Sequence, residues 1–264
     1  MTSLPLVSVI IPCYNAENFV ESAVRSIMEQ TYSNLEIIVI NDCSSDNTGE
    51  ILKRLAEEDP RIKYIENEQN LKLPKTLNKG INLAKGDYIA RMDSDDISLP
   101  VRLEKQVEFM LSNKNIDIVG CNMQHMDVYS RRLLYRSHMS TEHNDIIKKM
   151  AWKCELVHPS ILAKRNFFID LKGFNEEIAY AEDYELWIRA ILLNKKFSNL
   201  DDVLLYYRIH CDQMSSNNLK HLAVIRGFLL QAFRKTKKIR YLLGFFIQTK
   251  AFFFIRNIVN LFRR

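Results

Sequence analysis

No run of about 18 consecutive apolar residues occurs in this 264-residue chain, so the sequence holds no obvious membrane span. The N-terminus, MTSLPLVSVIIPCYN, lacks the basic start and small-residue cleavage site of a secretion signal, and its short apolar run reads as a strand. Five cysteines are scattered and never form a C-x-x-C pair. That pattern argues against a zinc site and for free thiols in a reducing compartment. Glycine is scarce, with seven residues, and no G-x-G-x-x-G or Walker sequence follows a strand-like run. Dinucleotide and P-loop chemistry are therefore poorly supported. Acidic residues stop at Asp212, while eleven of the 37 basic residues fall between Leu219 and Arg264. The preceding 218 residues carry 26 basic against 32 acidic groups, so the overall +5 conceals an acidic body and a basic tail. The tail calls for an anionic partner. Nucleic acid is a poor one, because the body is acidic and carries no recognition motif.

What is present is an alternation of strand and helix. LVSVII (6–11, bounded by Pro12), LEIIVI (35–40), IKYI (62–65), YIARM (88–92) and IDIVG (116–120) read as strands, apolar on both faces. Helical patterns fill 16–30, about 47–58 behind Asp46, 75–85 with Gly86 as the stop, and Pro100 to about Ser112. This predicts an α/β fold with a mostly parallel sheet flanked by helices. Helix-like segments at 142–151 and 182–194 and a strand-like VLLYYRI (203–209) form a second half packed on the first. The expected organisation is one domain over 1–218, built of two halves that meet near residue 120. A basic amphipathic helical tail follows over 219–264.

In such sheets ligands bind outside the carboxyl ends of the strands, and there the polar residues gather. Strand ends supply Tyr14, Asn15, Glu17, Asp42, Asp93 and Asp95 to one rim. Asn and Asp favour turns and caps for ordinary reasons, but one turn does not need the three acids of DSDD. Residues two apart in an extended segment share a direction, so Asp93 and Asp95 can face one point while Asp96 faces elsewhere. Paired carboxylates suit a hard divalent cation, with water and phosphate completing its shell. Glu182 and Asp183 stand where a helix begins; either they favour its N-terminus or they supply a general base. His158 and His210 are the remaining candidates.

Together these segments resemble family-2 glycosyltransferases of the GT-A fold, inverting enzymes that build bacterial surface polysaccharides. VSVIIPCYNAENFVESAVRSIMEQTYSNLEIIVINDCSSDNT resembles the family's nucleotide-binding half, and NLKLPKTLNKGINLAKGDYIARMDSDDISLPVRLEKQ its subgroup with an extended D-x-D-D motif. HPS, AEDYELWIR and YRIHCDQMS follow in the family's order, so the likeness runs over about residues 5–215. It implies a UDP-sugar donor whose nucleoside lies against Pro12, Tyr14 and Glu17, with Asp42 accepting the uracil N–H. Asp93 approaches the ribose or diphosphate, Asp95 binds Mn²⁺ or Mg²⁺ with help from His210, and Asp183 takes the acceptor proton. Glu182, His158 and Trp187 lie toward the acceptor.

Where many relatives have N-x-G-x-S, this chain has NLKLPK, which leaves Lys72, Lys75 or Arg91 to supply charge to the phosphates. The Q-x-x-R-W motif of processive synthases is absent, so one sugar per encounter is expected. The implied acceptor is a lipid-diphosphate-linked saccharide, met on the inner face of the cytoplasmic membrane. There the tail, which mixes Phe, Leu and Ile with Lys and Arg, would lie on anionic lipid.

Overall fold

The computed structural model describes residues 4–178, 180–210 and 218–249. Its first half alternates β1 (Val7–Cys13), α1 (Val20–Met28), β2 (Leu35–Asn41), α2 (Thr48–Glu58), β3 (Ile62–Glu66), α3 (Leu73–Leu83) and β4 (Tyr88–Arg91). Then come β5 (Ile97–Ser98), α4 (Arg102–Ser112), β6 (Ile118–Met126), β7 (Arg132–Arg136) and α5 (His143–Lys149). A 3₁₀ turn (His158–Ser160), β8 (Leu162–Lys164), α6 (Arg165–Leu171), α7 (Glu182–Leu192), β9 (Phe197–Arg208) and α8 (Asn218–Thr236) follow, and residues 239–249 are again helical.

Among the described residues one sheet holds all nine strands, in the order β3-β2-β1-β4-β8-β6-β9-β5, with β7 paired to β6. The first four are parallel, as anticipated. Both faces of β1 and β2 are covered: Val9, Ile11, Ile37 and Val39 enter one core cluster, Ile10, Ile38 and Ile40 the other. That two-sided burial is why these strands read as unbroken apolar runs. The second half makes the sheet mixed. β8 wedges antiparallel between β4 and β6, while β6 and β9 run parallel.

Two boundaries differ from the sequence reading. Pro12 does not end β1; it pairs with Ile40 inside the strand. The Ile10 carbonyl accepts from Met92 N–H at 3.2 Å, so alternate residues of β1 address β4. That pairing stops at Ile10 opposite Arg91, so the N–H that Pro12 lacks has no ladder partner to serve. Gly86 does not cap α3, which ends at Leu83 with an extended Ala84. Gly86 lies so close to β1 that a Cβ would stand 2.7 Å from the Ser8 nitrogen. It is a close-packing glycine and not a left-handed stop.

The basic tail, as far as residue 249, packs on the body. Leu229, Ala232 and Tyr241 are fully buried in the cluster that holds Trp187, and Gln248 Nε2 donates to the Trp152 carbonyl at 2.8 Å. Tail residues 250–264 lie outside the described residues. Among the described residues no helix is long and apolar enough to cross a membrane. Cys13, Cys43, Cys121 and Cys154 are free thiols.

Candidate active site

The loops after β1 and β2 are laced together. Asn15 adopts a left-handed φ of 47°, its N–H donates to Ser44 Oγ at 3.0 Å, and its Oδ1 accepts from Ser45 N–H at 2.9 Å. Ala16 N–H donates to Thr48 Oγ1 at 2.8 Å and Glu17 N–H to Asp46 Oδ2 at 3.0 Å. Glu17 Oε2 accepts from Asn47 N–H at 3.0 Å, so Glu17 ties the two loops as well as standing at the rim. Pro12 is buried beneath, and Tyr14 stands exposed at the lip.

Asp42 closes the third side. It is 4 % exposed, and Oδ1 accepts from Asn67 Nδ2 at 2.7 Å and Leu71 N–H at 2.8 Å. Oδ2 accepts from Lys72 N–H at 3.0 Å, so this carboxylate orders the β3–α3 loop.

Strand β4 delivers the acidic cluster. After Arg91 the chain curls through a turn at Ser94–Asp95 and is not extended. Carboxylate oxygens of Asp93, Asp95 and Asp96 therefore all lie within 4.8 Å of one another. The expectation that Asp96 faces elsewhere is corrected: period-two alternation does not hold in a turn. Asp96 is fully buried; Oδ1 accepts from Arg208 N–H at 3.0 Å, and Oδ2 has no hydrogen-bond partner. Burial, then the charges of Asp93 and Asp95, push its carboxyl well above the usual range.

Arg91 is corrected too. Its guanidinium, 4 % exposed, grips Asp93 through both terminal nitrogens, with Nη1 to Oδ2 at 2.7 Å. Both terminal nitrogens are committed to Asp93 while Nε has no hydrogen-bond partner, so Arg91 positions Asp93 and is not the free cation that the sequence suggested. Burial raises the Asp93 carboxyl against the pull of Arg91, and Asp95 and Asp183 add to the rise.

His210 Nε2 lies 2.8 Å from Asp95 Oδ2, and its ring rests against Phe19 at 5.2 Å, so the two residues expected to share a metal are brought together. Three convergent carboxylates, one with an unpartnered buried oxygen, and a ring nitrogen make an oxygen-rich donor set that fits Mg²⁺ or Mn²⁺.

The first turn of α7 holds Glu182, Asp183 and Glu185, after Ala181 in a left-handed conformation (φ 55°). Glu182 is 6 % exposed; burial first, then Asp183, push its carboxyl up to about 7. Asp183 is half-buried, and its Oδ1 accepts from Tyr184 N–H at 2.7 Å. Its charge is felt by Asp93 across the cleft.

The family model for glycosyl transferase family 2 matches residues 8–174, from β1 to the loop before α7. The chain belongs to glycosyl transferase family 2. An uncharacterized glycosyltransferase of Haemophilus influenzae is 36 % identical over 232 residues, covering 82 % of this chain and 69 % of the relative. WfgD of Escherichia coli, a UDP-Glc:alpha-D-GlcNAc-diphosphoundecaprenol beta-1,3-glucosyltransferase, is 33 % identical over 219 residues, 82 % of each chain. The crystal structure of S. aureus TarS 1–349 with UDP-GlcNAc superimposes with a TM-score of 0.72 at 21 % identity, covering 93 % of this chain and 73 % of that one. Against the longer TarS chain the coverage is 42 % of its length. The fold is thus the GT-A fold anticipated from the sequence.

In this transferase the acceptor-side residues separate by depth. Trp187 is fully buried, edge-on to His158 (ring centroids 5.9 Å) and beside Phe167. Its assignment toward the acceptor is corrected: the apolar face of α7 carries it into the core. His158 is 8 % exposed, with Nδ1 3.8 Å from Glu182 Oε1. Burial, and then Arg91, hold its pKa well below the ordinary value, so the ring is neutral. His158 and Glu182 form the floor behind Asp183.

Sequence reasoning missed Arg208. Its Nε donates to the Asp95 carbonyl at 2.7 Å, and its Nη1 donates to Asp127 O, Val128 O and Ser130 Oγ at 3.0–3.3 Å. A lone arginine inside the apolar strand VLLYYRI was the available signal.

Lys72 has the backbone of a glycine position. With φ 70° and ψ 160° it occupies a region almost reserved for glycine. Replacing Lys72 by Gly is expected to stabilise the fold by about 1 kcal/mol, strain relief outweighing the added chain entropy. Urea unfolding checks this; an unchanged or lower midpoint would show that Lys72 bears no strain.

Proposed function

We propose that this transferase moves a single hexose from a UDP-sugar, UDP-glucose or UDP-galactose, to a lipid-diphosphate-linked saccharide in surface-polysaccharide or O-antigen assembly. The carrying observation is the meeting of two acidic groups with different environments at one sheet edge. Asp93, Asp95 and Asp96 converge with His210 on the donor side, and half-buried Asp183 comes from α7. The laced β1 and β2 loops and the Asp42-ordered loop wall the nucleoside pocket. Asp42 keeps acceptor capacity for a uracil N–H, because a carboxylate offers about four lone-pair sites.

A divalent cation held by Asp95 and His210 would offset charge on the departing diphosphate. Asp183 accepts the acceptor hydroxyl proton as that oxygen attacks the anomeric carbon from the opposite side, giving inversion and a β-linkage from an α-linked donor. Asp93 is held in place by Arg91, and His158 and Glu182 support α7 from behind. The names of WfgD and TarS, with UDP-Glc and UDP-GlcNAc, support a uridine donor.

The tail supports a peripheral position on the inner membrane face. Its last described helix turns Tyr241 inward and exposes Ile239, Leu243, Phe246 and Ile247, one stripe at helical spacing, just after Lys237 and Lys238.

The test is a panel of UDP- and GDP-sugars with a polyprenyl-diphosphate N-acetylhexosamine acceptor, products resolved by mass and anomeric configuration. One UDP-hexose should transfer with inversion; retention, or selective use of a GDP-sugar, would overturn the reading. Chelator is expected to abolish transfer, and Mn²⁺ or Mg²⁺ to restore it. Full activity in chelator would remove the metal role of Asp95.

A further inference from the structure

The β6–β7 hairpin leaves a large part of its surface exposed to solvent. All five residues of β7 are exposed, Leu134 completely, and Tyr129 in the turn is 77 % exposed. Val128, Leu133 and Tyr135 add further exposed apolar surface. Isolated exposed hydrophobics are ordinary, but a contiguous group on one hairpin is a mark of a partner. Arg131, Arg132 and Arg136 are interleaved with it, and no acidic residue occurs from Val128 to Thr141. Arg131 is paired with Asp127 at 2.7 Å, Arg132 lies over the Tyr206 ring at 5.1 Å, Arg136 Nη2 donates to the Asp201 carbonyl at 2.9 Å, and Tyr135 rests on the His125 ring at 4.3 Å.

The hairpin is also fixed to the reaction centre. Arg208 binds the turn through Asp127 O, Val128 O and Ser130 Oγ with one nitrogen. Its Nε holds the Asp95 carbonyl and its N–H holds Asp96. Ile209 N–H donates to the Met126 carbonyl at 2.9 Å, one residue before His210. A body seated on the hairpin therefore lies beside the acidic cluster.

We propose that the β6–β7 hairpin is an interfacial membrane contact, with Leu134 and Tyr129 entering the headgroup region of an anionic bilayer and Arg132 and Arg136, on the same strand face as Leu134, meeting its phosphates. A tyrosine, with its apolar body and polar tip, suits that depth, and the arginines supply the charge complement. A second copy of the chain fits less well. β7 is an edge strand, and arginines on an edge oppose strand addition. The contact rests on the lipid-linked acceptor reading for its purpose: it would hold the cleft at the leaflet where such an acceptor is anchored. It is separate from the tail stripe, because membrane anchoring by weak elements needs two signals.

The experiment uses the full chain and vesicles of phosphatidylcholine with and without phosphatidylglycerol, with no donor or acceptor present. Its outcome thus does not depend on which sugar is transferred, or on whether any is. Binding to the anionic vesicles should fall at least about tenfold in R132E/L134E/R136E, given the worth of each basic residue at such a surface. All three side chains are exposed, so folding should be retained and is checked by circular dichroism. In a separate Leu134→Trp variant, brominated phosphatidylglycerol should quench the added tryptophan fluorescence. Three results would overturn the proposal: unchanged vesicle binding in the triple variant, no added quenching at position 134, or loss of a solution dimer in the triple variant in place of lost vesicle binding.

Discussion

Asp183→Asn should lower kcat for sugar transfer by about 10²–10⁴-fold while leaving donor affinity within a few-fold of the native value. Amide and carboxylate share a shape, so α7 keeps its register, and Tyr184 N–H keeps an oxygen acceptor. On the proposed mechanism, what is lost is the group that takes the acceptor proton. Glu182 cannot substitute easily: it is 6 % exposed and faces His158, with Nδ1 of that ring 3.8 Å from Oε1. The check is a steady-state comparison of the two proteins, with UDP binding followed by calorimetry. Transfer at near-native rate with intact UDP binding would place the base elsewhere. The neutral amide also removes a negative charge that now raises both Asp93 and Glu182, so both carboxyls should titrate lower in the variant.

Arg91→Met is expected to cost about 3 kcal/mol of stability at neutral pH, the lower end for breaking a buried ion pair. Arg91 is 4 % exposed and faces Asp93, whose side chain is 30 % exposed and so partly eased by water. Methionine fills most of the space, so the cost is chiefly electrostatic. Without the guanidinium, Asp93, Asp95 and Asp96 are left sharing one site, where Arg208 reaches Asp96 through its backbone N–H and Asp95 through the backbone carbonyl. The pH dependence has a definite sign. Arg91 lowers the carboxyls of Asp93, Asp96 and Glu182 from where burial alone would put them. Removing it raises the folded-state values further above the unfolded ones. The penalty therefore grows as pH rises through the unfolded carboxylate range and shrinks in acid, where both states hold their protons. Denaturant melts at mildly acidic and neutral pH measure it; an equal loss at both would assign the effect to packing.

The first half was legible because β1 and β2 are seven residues long and buried on both faces. VSVIIPC and LEIIVIN leave no other reading, and the strand-end rule then points to Asp42 and the DSDD turn. The second half was not, because its key strands are too short to print a pattern. β8 has three residues and β5 two, and each exists only through its neighbours. Side-chain depth was equally hidden. Trp187 and Asp183 are four residues apart on one helix, yet one is sealed in the core and the other reaches the cleft. Arg91 looked like a cation free for phosphates because nothing in YIARMDSDD says that the backbone will curl Asp93 back onto it. His210 and Asp95 are 115 positions apart in sequence, and it was the family likeness and not spacing that joined them.

The placement of β8 also bears on how such a protein can diversify. Residues 162–164 sit between β4 and β6, so the strand order does not follow the chain order. A recombination joint near residue 120 would not exchange a self-contained acceptor module. It would import a foreign strand into the middle of the resident sheet, with ladders to match on both sides. New acceptor preferences in this architecture should therefore arise by point substitution and loop exchange around a retained sheet, and grafts that carry β8 without β4 should fail to fold.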